Sequence, residues 1–166
     1  MYTRHEESGT TVDATPEQVF AILDNHARLS SHMNKPSWRM GGGKMETILD
    51  DGQGRRVGSH IILRGRVFGL HLEVEEVVTA HESPTLKAWE TIGTPRLLVI
   101  GQYRMWFEVN RTEGRSNLRV AIDYELPVRG FAHLLGLVLG DMYARWCTRQ
   151  MTGDAKKYFA LHPSVA

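Results

Sequence analysis

Cysteine occurs once, at Cys147, in 166 residues, so no internal disulfide can form. The fold has to rest on an apolar core, and a lone thiol suits a reducing compartment, so a cytoplasmic location is expected. A surplus of one charge is also missing. The formal net charge is +1 and no block of Lys or Arg occurs, so no nucleic-acid partner is expected. Long apolar runs are absent. The most apolar stretch, Leu134 to Leu139, is soon followed by Asp141, far short of the roughly 20 residues of a membrane-spanning helix. The opening residues, Met1 to Thr15, carry Arg4, Glu6 and Glu7 and lack the apolar centre of a secretory signal. Metal-ligand spacings are missing as well. The eight histidines form no His-Glu-x-x-His and no His-x-His pattern, so neither a metal nor another cofactor is expected. His60 and His71 fall on adjacent expected strands and are the one pair read as close enough to meet. Gly41-Gly42-Gly43 is not followed by Lys-Ser/Thr at phosphate-loop spacing and reads as a flexible turn.

What is present belongs to a folded globular domain. Apolar residues make up 42% and charged residues 23%, which is ordinary for a packed chain and excludes wholesale disorder. The length suits one domain spanning residues 1–166, and no repeat or linker interrupts it. Thr15-Pro16-Glu17-Gln18 reads as a capping box with proline in the first helical position. Val19, Phe20, Ile22 and Leu23 form the apolar stripe of that helix, which stops near Asp24. A second short helix is expected from about His26 to Met33, closed by Pro36.

Strand signals follow from Met45 to Leu126. The expected segments are Met45–Leu49, Val57–Leu63, Phe68–Val78, Leu86–Thr91, Leu97–Val109 and Leu118–Leu126. They are divided by turn sequences at Asp50–Gly54, Ser83-Pro84, Gly93-Thr94-Pro95 and Arg111–Asn117. Glu75-Glu76 breaks the alternation of its strand and reads as a bulge. A long helix is expected from about Arg129 to Ala160. Phe131, Leu135, Val138, Met142 and Trp146 share one of its faces, and Gly136, Gly140, Ala144 and Cys147 form a second stripe of small residues. The large stripe is expected to face the sheet, burying Trp146. The small stripe is open to two uses, close packing on the chain's own sheet or self-association.

The order is strand, two short helices, six-strand meander, long helix. With Val12-Asp13-Ala14-Thr15-Pro16-Glu17-Gln18-Val19-Phe20, Asp24-Asn25-His26-Ala27-Arg28-Leu29, Val57-Gly58-Ser59 and Glu76-Val77-Val78, it resembles the START-like (SRPBCC) superfamily over nearly the whole chain. The resemblance implies an α+β helix-grip fold. In it a curved seven-stranded antiparallel sheet, with two short N-terminal helices, grips one long C-terminal helix around a cavity. It does not transfer a single function, because members include ligand carriers, lipid-transfer proteins and polyketide cyclases.

The function expected first is binding of a hydrophobic or amphipathic small molecule between sheet and helix. Tyr103, Met105, Phe107 and Tyr124 would line that space from the sheet, and Leu135, Val138 and Met142 from the helix. Two buried phenols would need hydrogen-bond partners. The alternatives are a cyclase/dehydratase-type enzyme in the same cavity, or an interaction protein whose cavity is filled. Glu90, Tyr103, Tyr124 and His133 are the acid–base candidates. Glu90 could act as a base if it points inward, whereas Lys87, Trp89 and Thr91 would point inward if it does not. Cys147, in a helix without a fixed histidine partner, reads as an inert thiol. Arg145 and Arg149 border the helix and would bind a ligand carboxylate or pair with surface acids.

Overall fold

The computed structural model describes residues 2–25, 44–67, 69–128 and 130–162. The expected second helix, His26–Met33, its closing Pro36 and the turn at Gly41–Gly43 lie outside these residues.

Strand β1 (Arg4–Val12) leads into helix α1 (Pro16–Leu23). The capping box forms as read. The Thr15 hydroxyl accepts from the Gln18 backbone N–H, and the Gln18 side-chain oxygen accepts from the Thr15 N–H at 3.0 Å. Two N–H groups that a helix start leaves unpaired are thereby satisfied. Val19, Phe20 and Leu23 are buried, so α1 is held by its apolar stripe rather than by its length of eight residues.

Six further strands follow: β2 (Lys44–Leu49), β3 (His60–Val67), β4 (Leu70–Glu82), β5 (Leu86–Arg96), β6 (Tyr103–Thr112) and β7 (Arg115–Tyr124). With β1 they form one antiparallel seven-stranded sheet in the order β1-β7-β6-β5-β4-β3-β2. Helix α2 (Gly130–Leu161) follows and lies against β1 and β7.

Two details of the strand reading change. Gly93-Thr94-Pro95 does not turn the chain but sits inside β5. Glu75 pairs with Ile92 and Glu73 with Arg96, so extra residues of β5 stand opposite one residue of β4. Proline has no N–H to place in a ladder, and Gly93 takes a φ of +66°, so a bulge absorbs the segment. The Leu97–Gln102 segment is a connection, and β6 starts at Tyr103. The bulge expected at Glu75-Glu76 is not there: the two residues pair regularly with Ile92 and Thr91, and the register shift lies between Glu73 and Glu75, with its extra residues in β5.

The inner face follows from alternation. Val74, Trp89, Tyr103, Met105, Phe107, Val109, Leu118, Val120, Ile122 and Tyr124 are all buried in one cluster. Phe20 of α1 packs edge-on against Phe107, with ring centroids 5.3 Å apart, and Trp89 meets Phe107 at 6.3 Å. Aromatic edges thus fill this part of the interior.

Helix α2 reverses the expected use of its stripes. Gly136, Gly140, Ala144, Thr148, Met151, Thr152, Ala155 and Phe159 are buried. Phe131, Val138 and Met142 are 73%, 77% and 62% exposed, and Trp146 is 40% exposed. The reason is spacing. A Cβ on Gly136 would lie 2.8 Å from Pro127 Cδ and 2.9 Å from the Val99 carbonyl oxygen. One on Gly140 would lie 3.0 Å from Leu126 Cδ2. The chain before α2 approaches the helix so closely that only small residues fit, and the large apolar residues are left outside. The small stripe therefore packs on its own chain.

Candidate functional site

Among the described residues, the inner face of the sheet carries one buried acid. Glu76 lies between Val74 and Val78 on β4 and is 2% exposed. Two side chains donate to its carboxylate: the Tyr103 hydroxyl and the Trp89 ring N–H. Burial raises its pKa from the ordinary 4.5 to about 7, against the pull of those donors and of the Lys87 cation. The Tyr103 phenol is pushed up as well, first by burial and then by the Glu76 charge beside it.

Thr91 of β5 stands between the partners. It pairs with Glu76 across the ladder, accepts from the Tyr103 backbone N–H at 3.1 Å, and is itself buried. A carboxylate, a phenol, an indole and a hydroxyl from three strands thus meet inside an apolar layer. From α2, Tyr143 and Cys147 approach the same group, one helical turn apart. Each of the two groups shifts the titration of the other, and both residues are half-buried. The Cys147 sulfur and burial raise the Tyr143 phenol, with a further contribution from Glu76. Burial pushes the Cys147 thiol up to about 12. A thiol held that far from its thiolate is a poor nucleophile, which agrees with the inert reading.

A second polar cluster anchors α1. The Lys87 ammonium donates to the Asp24 carboxylate at 2.7 Å and to the Asp24 backbone carbonyl at 3.2 Å, while His81 lies 3.0 Å from the same carboxylate. The Lys87 side chain is fully buried and that of Asp24 is 14% exposed. Burial opposes both charges. Lys87 and His81 nevertheless hold Asp24 below its usual range, while burial lowers Lys87.

Of the predicted lining, Tyr103 and Met105 lie on the inner face, 7% and 8% exposed. Phe107 is there too, but it is completely enclosed next to Phe20 and Trp89. Tyr103 and Tyr124 are register partners, yet their hydroxyls part. Tyr124 donates to Asp141 of α2 at 2.5 Å, and Arg4 reaches the same carboxylate oxygen at 2.5 Å. Tyr124 therefore belongs to the junction of β1, β7 and α2. Val138 and Met142 are corrections, being exposed on the face of α2 that carries Phe131, and Leu135 is half-buried.

Among the acid–base candidates, Glu90 is also corrected. Lys87, Trp89 and Thr91 are buried, and alternation sets Glu90 on the opposite face, in register with Arg104. His133 donates to the Pro127 carbonyl at 2.7 Å near the start of α2. Arg145 pairs with Glu6 at 2.8 Å. His60 and His71 do not meet, since His60 bonds Glu75 and His71 bonds Arg66 at the other end of the β3–β4 ladder. Among the described residues no three His, Cys, Asp or Glu side chains are grouped to hold a metal ion. Among the same residues no helix is long and apolar enough to cross a membrane.

The sequence reading missed Glu76 as a site residue, with Trp89, Tyr143 and the Asp24–Lys87 pair. One signal was available: Glu76 alternates with Val74 and Val78, so the strand pattern itself points it inward.

The profile of the family described as polyketide cyclase / dehydrase and lipid transport matches residues 4–157. The chain belongs to this family. Solved structures agree on the fold. The protein TTHA0849 from Thermus thermophilus superposes with a TM-score of 0.65 at 11% identity, covering 98% of this chain and 100% of that one. The Zhui aromatase/cyclase from Streptomyces sp. R1128 gives 0.63 at 16% identity, covering 98% and 99%. Ara h 8.0201 gives 0.62 at 12% identity, covering 95% and 98%. No curated protein sequence matches. For this polyketide cyclase/dehydrase and lipid-transport family member, the likeness at such identities concerns the helix-grip fold, an antiparallel sheet with a long C-terminal helix.

Proposed function

We propose that this protein binds one hydrophobic or amphipathic small molecule between the inner face of the sheet and α2, with Glu76 and Tyr103 as the polar end of the site. The observation that carries this reading is the Glu76–Tyr103 hydrogen bond in an otherwise apolar layer. Few convergent polar groups in apolar surroundings are what orient a small ligand. Family membership supports the reading, since its description joins polyketide chemistry with lipid transport. The walls nearest the pair are Met105 from the sheet and Tyr143 and Cys147 from α2. Methionine and thiol side chains re-pack readily around different shapes.

A second reading has its own support. A carboxyl with a pKa of about 7, hydrogen-bonded to a phenol, is matched to proton transfer near neutrality. In a cyclase/dehydratase-type enzyme Glu76 would take the proton from a carbon next to a carbonyl, and Tyr103 would donate to the oxygen that gains charge.

Fluorescence displacement and thermal shift with fatty acids, sterols and aromatic polyketide-like compounds separate these readings. A ligand at a hundred times its dissociation constant should stabilise the fold by about 2.7 kcal/mol. Tyr103→Phe should weaken that ligand while preserving the fold. Turnover of a compound, abolished in Glu76→Gln, selects the enzyme. Failure of every compound to bind rejects both.

A further inference from the structure

The first half of α2, with Val128 just before it, carries an apolar surface that the site does not use. Val128 is 82% exposed, Phe131 73%, Leu134 60%, Val138 77%, Met142 62% and Trp146 40%. These side chains offer on the order of 800 Å² of apolar surface, above the few hundred that a monomer ordinarily shows and close to one partner's share of a stable dimer.

We infer that this face pairs with the same face of a second copy, the two α2 helices running antiparallel about a two-fold axis at Val138. Three features choose a second copy over a lipid surface or a charged partner. First, the stripe is self-complementary. With Val138 on the axis, Leu134 of one copy stands opposite Met142 of the other, and the Phe131 end meets the Trp146 end, as an isologous contact requires. Second, the charged residues from Gly130 to Trp146 are Asp141 and Arg145, which about an axis at Val138 fall opposite Leu135 and Phe131, so two copies meet without like charges in register. Third, two of the charges bordering the stripe are paired within the chain. Asp141 holds Arg4 at 2.5 Å and Arg145 holds Glu6 at 2.8 Å. With a net charge of +1, exposed Arg149 beyond Trp146 adds a single cation to this border, short of the basic cluster that draws anionic lipid. Because α2 uses its small residues on its own sheet, the pairing leaves the packing of the domain unchanged.

Sedimentation of the full chain at micromolar to tens-of-micromolar concentration tests this. A dimer of the 18.8 kDa chain is expected. Val138→Glu, at an exposed position, should weaken association on the order of a hundredfold with an unchanged circular dichroism spectrum. As a geometric check, Val138→Cys should cross-link under mild oxidation, because the two thiols face each other at the axis. Phe131→Cys should not, because the two positions lie about 20 Å apart along antiparallel helices. A monomer throughout, or a dimer that survives Val138→Glu, overturns the inference. So does co-sedimentation of the wild type with phosphatidylcholine/phosphatidylserine vesicles that is lost in Val138→Glu, which would assign the face to a membrane.

Discussion

Tyr103 donates its hydroxyl to Glu76 across an intervening strand, over Thr91, which holds the backbone of the one and the ladder position of the other. The bond gives the apolar layer one internal polar pole. It also keeps a carboxyl buried whose proton is retained to about pH 7.

That retention sets the sign of a pH dependence. The folded-state pKa of Glu76 lies above its unfolded value of about 4.5, so the folded state binds the extra proton. The stability linked to this group is complete below pH 4.5, declines as pH rises to about 7, and is lost above it. The full span is about 3 kcal/mol. Glu76→Gln, which keeps an acceptor for Tyr103, should remove this slope. Urea melts of both proteins between pH 4.5 and 8 check it, and equal slopes would show that Glu76 does not titrate in this range.

The Asp24–Lys87 pair should behave as a buried ion pair. Lys87→Met leaves the Asp24 carboxylate partly uncompensated, with His81 at 3.0 Å still beside it, and should cost about 3 kcal/mol. Adding Asp24→Asn should recover part of that loss. A double-mutant cycle by denaturant unfolding measures the coupling, and simple additivity would deny it.

Glycines in α2 should respond in opposite directions. Gly153→Ala meets nothing within 4 Å and should stabilise by about 0.5–1 kcal/mol, as alanine restricts the unfolded chain. Gly136→Ala brings a methyl against the Pro127 ring and the Val99 carbonyl and should destabilise despite the same propensity gain. Thermal melts of the two variants beside wild type decide this.

Two aromatic truncations should separate core from surface. Phe107→Ala removes a side chain with 0% exposure and should cost about 3–5 kcal/mol. Trp146→Ala removes a ring that is 40% exposed and should cost about 1 kcal/mol or less in the monomer. A comparable loss in both would place Trp146 in the core after all.

Where local chemistry decides, the order of residues was sufficient. The α1 start follows from Thr15, Pro16 and Gln18 alone, because a capping box is complete within four residues. The inward row from Tyr103 to Val109 follows from period-two alternation, and the order from β2 to β7 follows from short connections between successive strands, whereas the place of β1 beside β7 does not. The side chains that alternate with Trp89 were readable by the same rule, although the choice between Lys87 and Glu90 as inward residues was not. That choice needed the burial of Lys87 against Asp24, a partner 63 residues away. Tertiary structure alone decided which face of α2 meets the sheet. Hydrophobicity favoured Phe131, Val138 and Met142, but the close approach of Val99, Leu126 and Pro127 left room only for Gly136 and Gly140. Contact distance, which no stripe of side chains encodes by itself, outweighed apolar surface. The Glu76–Tyr103 bond is of the same kind, since it joins strands that are not neighbours and exists only once the sheet has been assembled.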